Sequence, residues 1–310
     1  MEPILHHYPA SPFAEKIRLM LGFKGLAWKS VTIPVVMPKP DLVALTGGYR
    51  RTPVLQLGAD IYCDTALIPR VLERIAPSPT LYPYGESIAV EAIQHFADSV
   101  LFNIAVPLAF QGGGLREFFP DATTEFFERF RGDRGAMRKG GMVRRGPAAE
   151  CRANFAHVAA RIETQLHGAQ TFLLGNSPCV ADFAVYHTLW PLARVPDTRS
   201  LLAPFAKIGR WMGRMQAIGH GRFNALSSAQ AISAAKASEA QALAPQAVET
   251  DGIAPGDTAE VLPVDYARDA VRGELVSCTS DEIVLRRIDP RAGTLQVHFP
   301  RFGFELRRPA

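Results

Sequence analysis

Short runs in which hydrophobic and polar residues alternate dominate the first 80 residues. Four of them are predicted as strands: Pro3–Tyr8, Trp28–Ile33, Pro53–Leu57 and Asp60–Cys63. Apolar residues also recur at helical spacing from Phe13 to Leu21 and from Ala66 to Ile75. The order strand, helix, strand, hairpin, helix predicts a first domain over residues 1–80.

The pattern changes to helical spacing without strand alternation over residues 85–226. Long helical stretches are predicted at Ile88–Phe110, Ala148–Leu166, Ala181–Leu192 and Ile208–Ile218. This part of the chain is therefore predicted to form an all-helical second domain.

The pattern of hydrophobic and polar residues changes twice in the last third of the chain. Residues 227–255 are rich in alanine and carry no strong apolar stripe, which predicts a linker that is helical in part. Beyond Gly256, about five short alternating runs are separated by turns that contain Asp, Pro and Gly. Such a series predicts a small β-barrel over residues 256–310, SH3-like or OB-like. The fold class predicted for the whole chain is α+β.

Composition restricts the class of protein. The chain has 310 residues, of which 47% are hydrophobic and 21% charged, which predicts a globular protein of two or three modules. A formal net charge of +4 is too weak to indicate nucleic acid as the main partner. No stretch reaches the roughly 18 apolar residues that a membrane span needs, and the N-terminus does not resemble a signal peptide. We therefore predict a soluble protein without a membrane span.

The four cysteines give no sign of a metal or redox site. Cys63, Cys151, Cys179 and Cys278 lie far apart and lack the Cys-x-x-Cys or Cys/His spacings that hold zinc or form a redox pair. This usage predicts a reducing, cytoplasmic environment and no bound metal.

Basic charge is concentrated in residues 129–145, which carry seven Lys or Arg residues and four glycines against the single acid Asp133. Two interpretations remain open. A solvated loop between helices is favoured, and contact with an anion or a membrane surface is the alternative.

Three local sequence features could belong to a catalytic or binding site, and each also has an ordinary structural explanation. Ser11 follows the first strand and precedes Pro12 at a helix start, where a serine is a common N-cap. A helix N-terminus also stabilises a thiolate brought by a ligand. Thr52-Pro53 enters a strand, and Asp64-Thr65 opens a helix whose free N–H groups could bind a carboxylate.

In this order, the signals resemble the cytosolic glutathione S-transferase superfamily over about residues 3–226. The segment SPFAEKIRLML, Ser11–Leu21, is similar to the Ser-Pro-Phe active-site segment of the serine-type classes. The resemblance implies a thioredoxin-like N-terminal domain that binds glutathione, a helical domain that binds an apolar electrophile, and a homodimer.

The resemblance also assigns roles to residues. Ser11 matches the hydroxyl that activates the glutathione thiol, and Pro53 matches a cis-proline that presents the Val54 backbone to the cysteinyl part of glutathione. Asp64 and Thr65 match the pair that holds the γ-glutamyl end, with Thr65 at its carboxylate and Asp64 near its amine.

Two further residues are predicted to bind glutathione by the same resemblance. Phe13 belongs to the Ser-Pro-Phe segment, and Arg51 stands near the usual lysine of the loop before the cis-proline and could meet a glutathione carboxylate. The loop reads Tyr-Arg-Arg-Thr-Pro instead of the usual Gly-Lys-Val-Pro, and Asp64 replaces a longer glutamate.

A capping motif is predicted in the helical domain, where Cys179 and Asp182 resemble the family's Ser/Thr-x-x-Asp box with a cysteine in place of the hydroxyl. Aromatic residues before and within the basic segment are interpreted as core and are not assigned to the site: Phe110, Phe118, Phe119, Phe126, Phe127 and Phe130.

The function predicted is glutathione transfer, with glutathione as co-substrate, Ser11 acting on its sulfur and no metal. A non-catalytic binding or regulatory protein with the same fold is one alternative. The other, a glutathione-dependent thiol reductase, is disfavoured because it would need a cysteine at position 11.

Overall fold

The N-terminal domain has the thioredoxin-like arrangement that the sequence predicts. A computed structural model describes residues 1–143, 146–168 and 170–309. The first elements are β1 (Ile4–His7), α1 (Pro12–Phe23), β2 (Ala27–Thr32), α2 (Pro40–Thr46), β3 (Val54–Leu57), β4 (Asp60–Cys63) and α3 (Ile68–Ile75). β1 pairs with β2 in parallel, whereas β1–β3 and β3–β4 are antiparallel.

Side chains alternate strictly between the two faces of this sheet. Leu5, Leu55 and Tyr62 lie in one hydrophobic core, and their neighbours Val54 and Ile61 lie in another. The first core joins the sheet to the helical domain. The second core joins the opposite face to α2 and to the C-terminal part of the chain.

The second domain is helical, as predicted. It contains α4 (Ile88–His95), a π-helical turn (Phe96–Leu101), α5 (Phe102–Ala109), a 3₁₀ turn (Gly114–Glu117), α6 (Thr124–Met137), α7 (Ala148–Gln165), α8 (Val180–Arg194), α9 (Pro196–Arg199) and α10 (Ala206–Ala217). One difference is a short exposed strand, β5 (Arg222–Ala225), which returns to the first domain and pairs in parallel with β2.

The C-terminal β region also has the strands that its pattern predicts: β6 (Thr258–Pro263), β7 (Val271–Cys278), β8 (Glu282–Asp289), β9 (Gly293–Pro300) and β10 (Phe304–Arg307). β6 to β9 form an antiparallel meander, and β10 returns to pair with β6.

These strands also pair with the first domain, which the sequence analysis did not predict. β9 pairs in parallel with β4, so the described residues form one ten-stranded sheet in the order β10-β6-β7-β8-β9-β4-β3-β1-β2-β5. Pattern analysis missed this because the pairing joins residues more than 230 positions apart, and strand alternation carries no information about the partner strand.

The predicted linker over 227–255 also differs from a free tether. It begins with α11 (Ser228–Lys236), capped by Ser227, which buries Ala231, Ile232 and Ala235 in the second core. Its small side chains let the helix lie close to α2 and the sheet. The alanine-rich composition therefore reflects close packing at this helix.

The basic segment 129–145 is mainly helical, because residues 129–137 belong to α6. The expectation of a solvated loop is wrong for this part, and Arg144 and Arg145 lie outside the described residues. Gly132 and Gly135 lie inside the helix with open space around them.

One continuous helical run, Ile88–Ala109, is long and apolar enough by length and composition to cross a membrane. It packs against α8 in the helical domain. Within the described residues, this single run is weak evidence for a span.

Candidate functional site

Ser11 joins the end of β1 to the start of α1 and is the N-cap of that helix. Its backbone is extended, and its Oγ accepts a hydrogen bond from the Ala14 N–H at 3.2 Å. Pro12 occupies the first helical position, where a missing N–H costs no hydrogen bond. The side chain is buried, yet Ser11 lines a cavity of about 570 Å³ between the first two domains.

Thr52-Pro53 forms the turn that leads into β3, and its peptide bond is cis, as the resemblance implies. Val54 follows in the strand, opposite His6 on β1 and opposite β4 on the other side. The Val54 side chain lies in the second core, and Val54 does not line the cavity beside Ser11.

Lys39, which the sequence analysis missed, lies beneath this turn. Its Nζ donates hydrogen bonds to the Arg50 carbonyl oxygen at 3.2 Å and to Thr52 Oγ1 at 3.4 Å. Burial, and then the neighbouring Arg134 cation, lower the pKa of Lys39 to about 7. Its hydrogen-bond partners in the described chain are neutral, and the Asp133 carboxylate nearby partly opposes the lowering of its pKa. A bound anion would favour the charged ammonium form.

Asp64 and Thr65 stand in the turn between β4 and α3. Asp64 has φ +78°, a left-handed conformation that favours glycine, so the surrounding structure holds a strained backbone here. Its Oδ1 accepts the Ala66 N–H at 3.0 Å, and its Oδ2 accepts the Tyr49 hydroxyl at 3.3 Å. Thr65 is buried, and its Oγ1 accepts from Lys16 Nζ at 3.4 Å.

Arg51 has partners that the sequence analysis did not foresee. It is paired with the Asp265 carboxylate, donates to the Tyr266 carbonyl, and lies 3.9 Å from the centre of the Tyr266 ring. It also lies 3.4 Å from Asp64 Oδ2. The loop between β6 and β7 therefore holds Arg51 in place, whereas the sequence had suggested a glutathione carboxylate as its partner.

Two adjoining cavities share these residues. Ser11 lines the cavity of about 570 Å³, whereas Pro53, Asp64 and Thr65 line a second cavity of about 910 Å³. Phe13 and Arg51 line both. All the predicted site residues except Val54 thus line one or both cavities, with Asp265 and Tyr266 of the C-terminal region on the shared wall.

Apolar rings cover much of the first cavity. Phe13 packs against Phe102 with ring centres 4.6 Å apart. Three of the aromatic residues that the sequence analysis interpreted as core also line the cavity: Phe110, Phe119 and Phe130. Phe110 and Phe119 also pack against the first core, so these rings belong to both, and helical spacing alone does not distinguish a core from a cavity wall.

Asp98 is a second residue that the sequence did not reveal. It lies on the π-helical turn between α4 and α5, lines both cavities and binds Lys16 Nζ at 2.6 Å. Burial raises the pKa of Asp98 to about 6, against the opposing effect of Lys16. π-Helical turns recur at functional sites, and this one directs a carboxylate to the junction of the cavities.

Within the described residues, no group of three or more His, Cys, Asp or Glu side chains could hold a metal ion. The polar side chains that line the two cavities carry hydroxyl, ammonium, guanidinium and carboxylate groups.

Comparison with known proteins agrees with this geometry. The sequence profile of the glutathione S-transferase N-terminal domain matches residues 5–80. A GST-like protein from Pseudomonas syringae is 43% identical, with 99% of both chains covered and a TM-score of 0.83. It therefore shares the C-terminal region as well. No curated protein sequence matches the chain.

More distant structures share the fold alone. Glutathione S-transferase III in its apo form is 21% identical, with 70% of this chain and 92% of that chain covered and a TM-score of 0.52. Beta-etherase LigF from Sphingobium sp. strain SYK-6 is 16% identical, with 70% and 96% covered and a TM-score of 0.51. Identity and coverage with the Pseudomonas syringae protein show that the chain belongs to the glutathione S-transferase superfamily.

Proposed function

We propose that the chain is a glutathione transferase that activates the thiol of glutathione for attack on an electrophile. The observation that carries the proposal is Ser11, an N-cap hydroxyl on the wall of a cavity lined by apolar rings. The cis-proline turn and the Asp64-Thr65 turn stand beside it on the adjoining cavity.

The hydrogen bonds of Ser11 support a role at sulfur. Its Oγ accepts the Ala14 N–H, so its own proton remains available to a ligand. A thiolate at this position would receive that O–H and the positive end of α1, both of which favour the charged form. The sulfur then attacks the electrophilic carbon, the leaving group departs, and the thiol proton goes to solvent.

The γ-glutamyl end of glutathione would occupy the second cavity, and its glycine end would lie at the first cavity, which Lys39 lines. Thr65 would hold the γ-glutamyl carboxylate, Asp64 the amine, and the Val54 backbone the cysteinyl part. Arg51 is already paired with Asp64 and Asp265, so Lys39 is the better candidate for the glycine carboxylate. Ion pairing between Arg51 and Asp64 would weaken the hold of Asp64 on the amine.

A thiol reductase is a weaker candidate. Disulfide exchange needs an accessible thiolate, and all four cysteines are buried. Burial raises the pKa of Cys63, the cysteine next to Asp64, well above its ordinary value. A homodimer in the cytoplasm remains our proposal from the family resemblance, and sedimentation equilibrium would test the dimer.

The test is conjugation of glutathione to 1-chloro-2,4-dinitrobenzene by the full chain. We expect Ser11→Ala to lower kcat about 100-fold with little change in KM for glutathione, because the hydroxyl acts on the sulfur and not on the peptide. Ser99→Ala is the matched control, since Ser99 lines both cavities but donates its hydroxyl to the His95 carbonyl.

If Ser11→Ala is as active as the parent, Ser11 acts only as the N-cap of α1 and has no role in catalysis. Retention on immobilised glutathione without any conjugation would favour a non-catalytic binding protein.

A further inference from the structure

The first cavity carries an excess of positive charge. Six of its lining residues are Lys or Arg and three are Asp: Lys39, Arg50, Arg51, Arg131, Arg134 and Arg138 against Asp98, Asp133 and Asp265. A purely apolar electrophile offers these cations no hydrogen-bond acceptor, so the excess charge would contribute nothing to its binding.

Three of these six cations already form ion pairs with carboxylates. Asp133 is paired with both Arg50 and Arg134, and Asp265 is paired with Arg51. Arg134 also donates to the Tyr8 hydroxyl at 3.1 Å. These contacts join α6 to the N-terminal domain, so three of the six cations maintain the walls of the cavity.

Arg131 and Arg138 are different. Both line the cavity, and within the described residues neither side chain makes a hydrogen bond or an ion pair. They lie seven residues apart, about two helical turns: Arg131 is an exposed residue of α6, and Arg138 is the half-buried C-cap residue that ends this helix. Lys39 is the remaining cation with only neutral partners, and it lies under the cis-proline turn, where we place the glycine carboxylate.

Apolar rings complete the wall on which these arginines stand. Phe130 precedes Arg131 in α6, and Phe102, Phe110 and Phe119 line the same cavity. A ligand that fits both the apolar rings and the two arginines has an aromatic or other apolar body and one oxyanion at its edge. Guanidinium groups are well suited to that oxyanion because they donate two parallel hydrogen bonds.

We propose that Arg131 and Arg138 bind the oxyanion of an amphipathic second substrate, such as an aromatic carboxylate, and so determine its specificity. This inference rests on the proposed function, since the cavity is taken as the electrophile site beside Ser11. It also replaces the apolar electrophile predicted from the sequence with an anionic one.

Binding of unreactive probes tests the inference apart from catalysis. Isothermal titration would compare 3,5-dinitrobenzoate with its neutral counterpart 3,5-dinitrobenzamide on the full chain at low salt. We expect the carboxylate to bind at least about tenfold more tightly, because charge-assisted hydrogen bonds are among the strong ones. The double variant Arg131→Gln/Arg138→Gln should abolish this preference and leave binding of the amide unchanged.

Arg129→Gln is the matched control. Arg129 belongs to the same helix, is exposed and does not line the cavity, so its variant removes one positive charge outside the cavity and should keep the preference. Absence of carboxylate binding, equal affinity for both probes, or an equal effect of Arg129→Gln would overturn the inference. Failure of the proposed function is a separate result, because conjugation of the neutral 1-chloro-2,4-dinitrobenzene does not need the arginines.

Discussion

At the scale of the residue, Asp182 shows how one buried carboxylate fixes the helical domain. Its Oδ2 accepts the Cys179 N–H at 3.0 Å, and its Oδ1 accepts the Leu173 N–H at 2.8 Å and the Trp211 Nε1–H at 2.9 Å. Burial still raises the pKa of Asp182 above its ordinary value. The start of α8 thus depends on a polar cluster in which Cys179 supplies only a weak S–H donor.

We predict that Cys179→Ser raises stability by about 0.5–1 kcal/mol. A serine hydroxyl caps the free helix N–H groups better than a thiol and donates a stronger hydrogen bond to Asp182. Urea unfolding should show a higher midpoint at unchanged slope. Cys151→Ser is the control, because Cys151 is equally buried but lies inside α7, where a hydroxyl gains no cap.

A lower midpoint for Cys179→Ser than for the parent would mean that packing of the sulfur outweighs its role as a cap.

The candidate site could be predicted from the sequence only where its residues belong to local elements. Ser11, Pro53 and Asp64 each stand at a strand end that alternation and turn residues reveal. Asp265 reaches Arg51 from more than 200 positions away, through a pairing of strands that no local pattern encodes. The orientation of Arg138 likewise depends on how α6 packs, which helical spacing does not determine.

At the scale of the element, β4 and β9 are joined by their backbones and by one buried charged cluster. His298 on β9 lies 2.9 Å from Asp60 Oδ1 on β4 and 2.6 Å from Glu282 Oε1 on β8. Asp60 Oδ2 also accepts the Gln241 N–H at 2.9 Å, and Arg74 lies 3.6 Å from Glu282. Burial lowers the pKa of His298, but the two carboxylates outweigh it and raise the pKa above the ordinary 6.5.

We predict that His298→Gln destabilises the protein by about 3–5 kcal/mol at pH 6 and by less at pH 9. Removing the imidazolium leaves the buried Asp60 carboxylate without its cation, whereas Arg74 remains near Glu282. A histidine with a raised folded pKa contributes stability that is fully present below its unfolded pKa and is lost as the pH rises through the folded pKa. Urea midpoints at both pH values would measure the difference.

His157→Gln, at an exposed position of α7, should change stability little at either pH. An equal loss for His298→Gln at pH 6 and pH 9 would show that packing of His298, and not its charge, joins the strands.

At the scale of the whole molecule, the C-terminal region completes the fold of the first domain. Phe299 and Phe304 pack against Tyr49 with ring centres 6.0 Å and 6.3 Å away, inside the second core. Strand alternation predicted the strands of the first domain, and helical spacing predicted the helical second domain. It could not show that this face of the thioredoxin-like sheet is covered by residues from the end of the chain, because burial alone does not identify the covering partner.

We predict that a chain truncated after Gln241 will be less stable than the full chain and will bind an apolar dye. The truncation removes β6 to β10, leaves the backbone of β4 unpaired along one edge and exposes apolar residues of the second core, including Tyr49 and Ile61. It also removes Asp265 and Tyr266 from the cavity wall, so retention on immobilised glutathione should fall. Asp265→Asn in the full chain is the companion variant, since it keeps every strand and loosens only the ion pair to Arg51. A soluble truncated chain with the unfolding midpoint and glutathione retention of the full chain would contradict the shared core and restore the independent module.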